Sequence, residues 1–295
     1  MSLPVNKVST ADLVASARAW HMRHPTPIFE DPYAHDLCGP VLGLALRFRP
    51  FEWLLFKVAL AAVMPASMCV VMRARYAEQA LERAVEEGIR QYVIIGAGMD
   101  SFAFRRPDLL EKIDAFEIDH PVTQRKKLDR IAKAGFKVPK NHHFVAADLS
   151  QVSTVEALAR SAFDMSKPTF LSLLGVIYYL TPETLVETAG SIAQGLPPGT
   201  RLVFDYLLDE ESCVPAGRPL RARMLKFVKG RGEPMRSSYS LAQMNALMAR
   251  EGFKPVESFE ITDLEDGYRE EFGELPIEIP GIFGFGTFEV TGKSD

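Results

Sequence analysis

Cysteine is scarce in this chain of 295 residues. Cys38, Cys69 and Cys213 are all there is, too few and too widely spaced for a disulfide framework or a zinc site. A reducing compartment suits such a chain, and a cytoplasmic location is the expectation. An excess of one charge is lacking too. The 34 Lys and Arg nearly balance the 38 Asp and Glu, leaving a net charge of −4, so no basic surplus speaks for nucleic acid. No apolar run is long and clean. Residues 51–72 are broken by Lys57 and Pro65, and the uncharged part falls short of the ~20 residues that span a bilayer. The stretch is therefore read as helix buried in a lid or core, not as an integral membrane segment. Residues 1–20 lack the basic start and apolar centre of a secretory signal. No Ser-His-Asp arrangement, metal-ligand cluster, internal repeat or low-complexity tract is evident.

What is present suits a soluble α/β chain: 47% hydrophobic and 24% charged residues. From residue 91 onward, short apolar runs alternate with amphipathic ones. Strands are predicted at 91–96, 113–119, 142–148, 168–175, 199–207, 253–261 and 282–290. Helices are predicted between them, with Pro121 in the first turn of one, Thr181 and Pro182 opening another, and Ser240 and Gly252 bounding a third. This alternation predicts a seven-stranded, mostly parallel sheet with helices on both faces. The last two runs lack a long helix between them, so a late strand is open to antiparallel insertion. Residues 1–90 are expected to be helical and to form a lid or substrate cover. Residues 91–295 are expected to form the ligand-binding domain, interrupted by an insertion at 207–238.

Ligands of such sheets bind beyond the carboxyl ends of the strands, and three of these ends are marked in order. The first carries Gly96-Ala97-Gly98, where bare main chain permits a sharp turn and a close approach. The third glycine of the dinucleotide fingerprint is absent, because Ser101 stands in its place. The second end carries Asp119, an acid about twenty residues further on, placed to accept ribose hydroxyls or else to cap the helix before Pro121. By strand alternation Glu117 shares its face. His120 follows directly and is read as a ligand contact or a surface residue. The third end carries Asp148 and Leu149, an acid for an exocyclic amine and an apolar side chain for a ring. Together they describe a cleft for an adenosine-containing ligand. His142 and His143 begin their strand, at the wrong end for catalysis. Tyr178, Tyr179 and Tyr206 follow strands four and five at the productive edge, as substrate contacts or as packing. Phe48, Phe51, Trp53 and Phe56 either roof an apolar acceptor pocket or form a core layer, the second being preferred.

The segments GAGMDSFAFR, FEIDHP, VAADL and FLSLLGVIYYLTPE resemble the leucine carboxyl methyltransferase-like family of class I S-adenosylmethionine-dependent methyltransferases. The bacterial O-methyltransferase branch, similar to polyketide-tailoring carboxyl methyltransferases, resembles it most. The likeness runs over residues 11–206 and takes in ASARAW and VMRARYAEQAL upstream. It implies a Rossmann-like fold, S-adenosyl-L-methionine as cofactor and a small-molecule methyl acceptor. It also implies that Arg73 pairs with the cofactor's carboxylate, that Gly96 and Gly98 lie along its methionine part, that Asp119 takes the ribose, and that Asp148 and Leu149 border the adenine. Lys126 matches a family lysine on the helix after strand two, and a solvated helix face explains it as well. Leu174 stands where many members carry an acid near the cofactor's ammonium, and Ile94 replaces another acid. No catalytic residue is implied. The glycines and Asp119 also suit an NAD-dependent oxidoreductase, which the missing third glycine and the absence of a Tyr-x-x-x-Lys pair weigh against. Ile94 and Leu174 give some weight to a non-catalytic cofactor-binding protein.

Overall fold

The computed structural model describes residues 8–61, 63–273 and 280–291. The first seven residues of the region expected to be helical lie outside the described residues. The sheet has seven strands: β1 (Gln91–Ile95), β2 (Asp114–Asp119), β3 (His142–Ala146), β4 (Phe170–Leu173), β5 (Arg201–Leu207), β6 (Phe253–Glu260) and β7 (Phe283–Val290). Their order is β3-β2-β1-β4-β5-β7-β6. β7 pairs antiparallel with both β5 and β6, and every other pairing is parallel.

Burial follows position in the sheet. Every residue of β1 and β4 is buried, as expected of central parallel strands covered on both faces. β6, at the edge, is exposed or half-buried after its first residue and carries Pro255 beside a bulge, where a missing N–H is tolerated. The predicted helix starts hold. Thr181 and Ser240 accept from the N–H of Thr184 and Gln243, and Pro121 and Pro182 occupy first turns.

The N-terminal helices divide between two cores. The long helix Ala66–Glu86 buries Met72, Tyr76, Ala80 and Leu81 in the main core, against β4, β5 and β7. The preceding helices, from Thr10–His21 to the π-helical stretch Trp53–Ala59, share a second core through Ala15, Leu37, Leu42, Leu46 and Phe56. That core rests on the loop after β1 at Met99 and on helix Pro121–Ala134 at Ile131. The preference for a plain core layer in residues 41–72 needs correction. Phe56 is buried, but Phe48, Phe51 and Trp53 stand 52%, 51% and 61% exposed. Short helices and a π-helical stretch turn only part of their circumference inward, and these three rings lie on the outer part.

Residues 207–238 leave the sheet after β5 and form helix Arg218–Gly230, which sets Leu220, Met224 and Val228 inward. No helix among the described residues is long and apolar enough to cross a membrane.

Candidate functional site

At the end of β1 the chain turns through two left-handed glycines, Gly96 with φ 69° and Gly98 with φ 55°. The amides of Gly96 and Ala97 both donate to the Ile118 carbonyl, at 2.8 and 3.2 Å, lacing this loop to β2. A Cβ on Gly96 would lie 3.0 Å from Val176 Cγ2, and one on Gly98 would lie 3.3 Å from Ala11. Asp119 ends β2. Its Oδ2 accepts from the Gly98 amide and its Oδ1 from the His120 amide. Burial raises its pKa, with those two N–H groups pulling the other way. The helix cap is His120, whose Nδ1 accepts from the Val122 amide at 3.3 Å. Asp119 is thus a strut between two strand ends and not the cap that a reading of Asp119-x-Pro121 offers.

Asp148, past the end of β3, accepts from the Ser150 amide at 3.0 Å and its hydroxyl at 2.7 Å, both through Oδ1. These bonds lower its pKa. Its Oδ2 stays 3.9 Å from His120 Nε2. Leu149 packs half-buried on the main core. The ends of three neighbouring strands therefore carry Asp148, then Asp119 with His120, then the glycine loop.

The other half of the site lies across the β1–β4 pairing. Leu174 is half-buried, and Gly175 takes φ 73°. The Gly175 amide donates to Asp205 Oδ1 at 2.6 Å, and a Cβ at that glycine would lie 2.6 Å from Arg73 Nη2. The Arg73 guanidinium, only 7% exposed, thus lies flat on bare main chain. Its Nη1 donates to the Tyr178 hydroxyl at 3.0 Å and to Asp205 Oδ2 at 3.1 Å. Burial pushes the Tyr178 pKa upward, against the pull of the Arg73 guanidinium. Asp205 is fully buried and serves both Arg73 and Gly175, yet the sequence reading stopped at its neighbour Tyr206. The available signal was a lone carboxylate inside an otherwise apolar strand. Alternation puts Tyr206 on the opposite face, fully buried, with its ring against Gly284, where a Cβ would lie 2.4 Å from the ring.

Arg73, Tyr178 and Tyr179 line a partly open cavity of about 140 Å³ whose other walls are chiefly apolar, among them Leu13, Phe56, Met224 and Phe283. Asp119 and Asp148 are not part of that lining. The two halves meet where β1 and β4 pair and Val176 approaches Gly96. There the strand order reverses direction, which is where sheets of this kind open a crevice.

Over residues 11–193 the sequence matches the model of the family described as leucine carboxyl methyltransferase. The chain belongs to the leucine carboxyl methyltransferase family of S-adenosyl-L-methionine-dependent methyltransferases. Family membership carries the enzyme class and the methyl donor, and it removes the NAD-dependent reading. The chain is 32% identical over 279 residues to YktD of Bacillus subtilis, covering 88% of this chain and 91% of that one. The name of YktD assigns it provisionally to the S-adenosyl-L-methionine-dependent methyltransferases. A similarly named protein of Mycobacterium sp. strain JLS is 29% identical over 213 residues, 67% of this chain and 66% of its own. A crystal structure from Thermobifida fusca, described provisionally as a methyltransferase, superposes with a TM-score of 0.63 at 14% identity over 98% of this chain and 97% of its own. That likeness speaks for the fold, the expected α/β sheet. The family match ends before β5, so Asp205 and the helix Arg218–Gly230 lie beyond it.

Proposed function

We propose that this methyltransferase acts on the carboxylate of a small apolar molecule, with the acceptor held in the cavity beside Arg73. The observation that carries the reading is the content of that cavity. Its titratable lining consists of Cys69, Arg73, Tyr178 and Tyr179. Burial pushes Tyr179 up to about 12 and Cys69 above the usual thiol range. None of these groups is poised as a base at neutral pH, which favours an acceptor that arrives already ionised. A carboxylate does; an alcohol or phenol needs a base to help it. A polyketide-like acid is one acceptor of this chemistry, and a hydroxyl acceptor is the less supported alternative.

The cofactor's residues are proposed in the same order as the strand ends. S-adenosyl-L-methionine supplies a methyl group on a sulfonium, which an in-line nucleophile displaces. The residues fit such a donor. Asp119 uses one lone-pair site on each oxygen for Gly98 and His120 and keeps others for two ribose hydroxyls. Asp148 keeps Oδ2 for an exocyclic amine, with Leu149 beside the ring. His120 stands between the two acids. Gly96, Ala97 and Gly98 offer bare main chain. Arg73, with Nη1 committed to Tyr178 and Asp205, has Nε and Nη2 for the donor's carboxylate. Leu174 offers no charge, so an ammonium near it relies on main-chain carbonyls. Tyr178 and Tyr179 are proposed acceptor contacts. Tyr206, on the far face of β5, acts through packing. What the protein contributes to rate is alignment, which supplies up to about 7–11 kcal/mol in well-oriented reactions.

Calorimetry with S-adenosyl-L-methionine tests this directly. The wild-type chain binds. Arg73→Ala weakens binding by roughly tenfold to a hundredfold, the ~1.5–3 kcal/mol of a charge-assisted hydrogen bond. An unchanged affinity in a folded variant removes Arg73 from the cofactor site.

A further inference from the structure

Eleven large apolar side chains stand exposed among the described residues, and seven of them fall between positions 41 and 58. They include Leu44 at 55%, Phe48 at 52%, Phe51 at 51%, Trp53 at 61% and Val58 at 52%. A single isolated apolar side chain on a surface is ordinary, but a concentration of this kind marks a contact surface. The charges among these residues run against the rest of the molecule. The whole chain has a net charge of −4, whereas residues 41–58 hold Arg47, Arg49 and Lys57 against the single acid Glu52. Glu52 is already paired with Arg23 at 2.5 Å. Arg47 and Arg49 are exposed and make no ion pair among the described residues, and Lys57 lies 5.9 Å from the Trp20 ring. Exposed aromatic and aliphatic side chains interspersed along one stretch with unneutralised cations suit an anionic lipid headgroup layer. A second copy of the chain suits it less well, because a symmetric pair sets these cations against their own copies.

We infer that residues 41–58 seat the protein on an anionic membrane surface. Trp53, Phe51 and Phe48 enter the headgroup boundary while Arg47, Arg49 and Lys57 meet the phosphates. The same stretch turns Phe56 inward to wall the cavity beside Arg73, together with Leu60 just beyond it. One segment therefore has lipid on its outer side and the cavity on its inner side. Resting on the proposed function, the acceptor class narrows to an amphiphilic carboxylic acid that partitions into lipid.

Vesicle co-sedimentation tests the docking without cofactor or acceptor, so its failure is separate from a failure of the methyl-transfer reading. The full chain is expected to sediment with phosphatidylglycerol-containing vesicles at low salt and to stay in solution with pure phosphatidylcholine. Each of Arg47→Gln and Arg49→Gln is expected to weaken partition by about fivefold, and added salt to weaken it further. Trp53→Asp is expected to abolish it. In a Trp20→Phe background Trp53 is the remaining tryptophan, and its emission should shift to the blue on binding. Circular dichroism and thermal unfolding check that each variant is folded. No sedimentation of folded wild type with anionic vesicles overturns the inference. So does undiminished sedimentation of Trp53→Asp, or a solution dimer that Trp53→Asp converts to monomer, since a second copy then covers the face.

Discussion

Glu117 shares a strand face with Asp119, two residues along, but serves the fold instead of a ligand. Its carboxylate is buried, paired through one oxygen with the buried Lys127 and lying 3.0 Å from His142 Nε2 through the other, without hydrogen-bond alignment. Burial opposes its ionisation, yet the Lys127 ammonium and then His142 bring its pKa down from 4.5 to about 2. A carboxyl whose folded value is depressed adds stability above its unfolded value and loses it as pH falls toward the folded one. The contribution is therefore full above about pH 5 and fades between 4.5 and about 2. Glu117→Gln leaves Lys127 buried without its counter-charge, and denaturant titration at pH 7 should show a loss of about 3–5 kcal/mol. The gap between variant and wild type should close as pH is lowered through this window. A loss below about 1 kcal/mol, or a gap that widens in acid, contradicts the pairing. The sequence hid this cluster because Lys126 and Lys127 are adjacent. Residue 126 matched a family pattern, but helix phase turns 127 inward, where Phe144 and Glu117 receive it.

At the scale of elements, the strand ends were legible and the struts between them were not. Gly98, Asp119 and Asp148 stand out because glycine and acid interrupt apolar runs at a fixed place in each repeat of the pattern. Asp205 and Asp31 escaped because one partner of each lies far off along the chain, Arg73 132 residues from Asp205 and Ser101 70 residues from Asp31. The antiparallel insertion of β7 was open in the sequence for a similar reason, since pairing with β5 is a long-range choice. Asp31 shows what such a strut does. It is buried and accepts from Arg18 Nε at 2.7 Å and from the Ser101 hydroxyl at 2.6 Å. Arg18 also donates to the Met99 carbonyl at 2.6 Å, and Arg105 ties Ser101 to Glu78 on helix Ala66–Glu86. Burial works against the charge on Asp31, but the Arg18 and Arg105 guanidiniums hold its pKa below the usual carboxylate range. This network fastens helix Thr10–His21 against the glycine loop, where Ala11 already meets Gly98. Asp31→Asn removes the charge and should speed amide exchange in that helix by about tenfold or more, a loss of at least one charge-assisted bond. Amides of β1, held by its sheet partners on both sides, should not change. Equal exchange in the helix would mean that apolar packing alone holds it.

For the whole molecule, the division between a family-matched part and the remainder has a physical counterpart. The match over residues 11–193 takes in the strand ends proposed for the cofactor, which are built from main chain and carboxylates. The cavity is walled from both parts. Leu13, Phe56 and Met64 come from the matched part, and Met224, Phe227, Val228 and Met235 from the helix after β5 and its exit. Apolar walls contribute by area and shape, and one removed ring changes what fits without touching a charge. Phe227 is half-buried at that wall and distant in sequence from Asp119 and Asp148. Phe227→Ala should therefore leave the calorimetric affinity for S-adenosyl-L-methionine within about twofold while widening the range of acids methylated. A graded series of straight-chain and aryl carboxylic acids with a labelled methyl donor reads this as a shift of kcat/KM toward bulkier members, of about tenfold for one or two methylenes of added space. If the cofactor's affinity falls with the acceptor profile unchanged, the cavity belongs to the donor, and the acceptor must enter elsewhere along the strand ends.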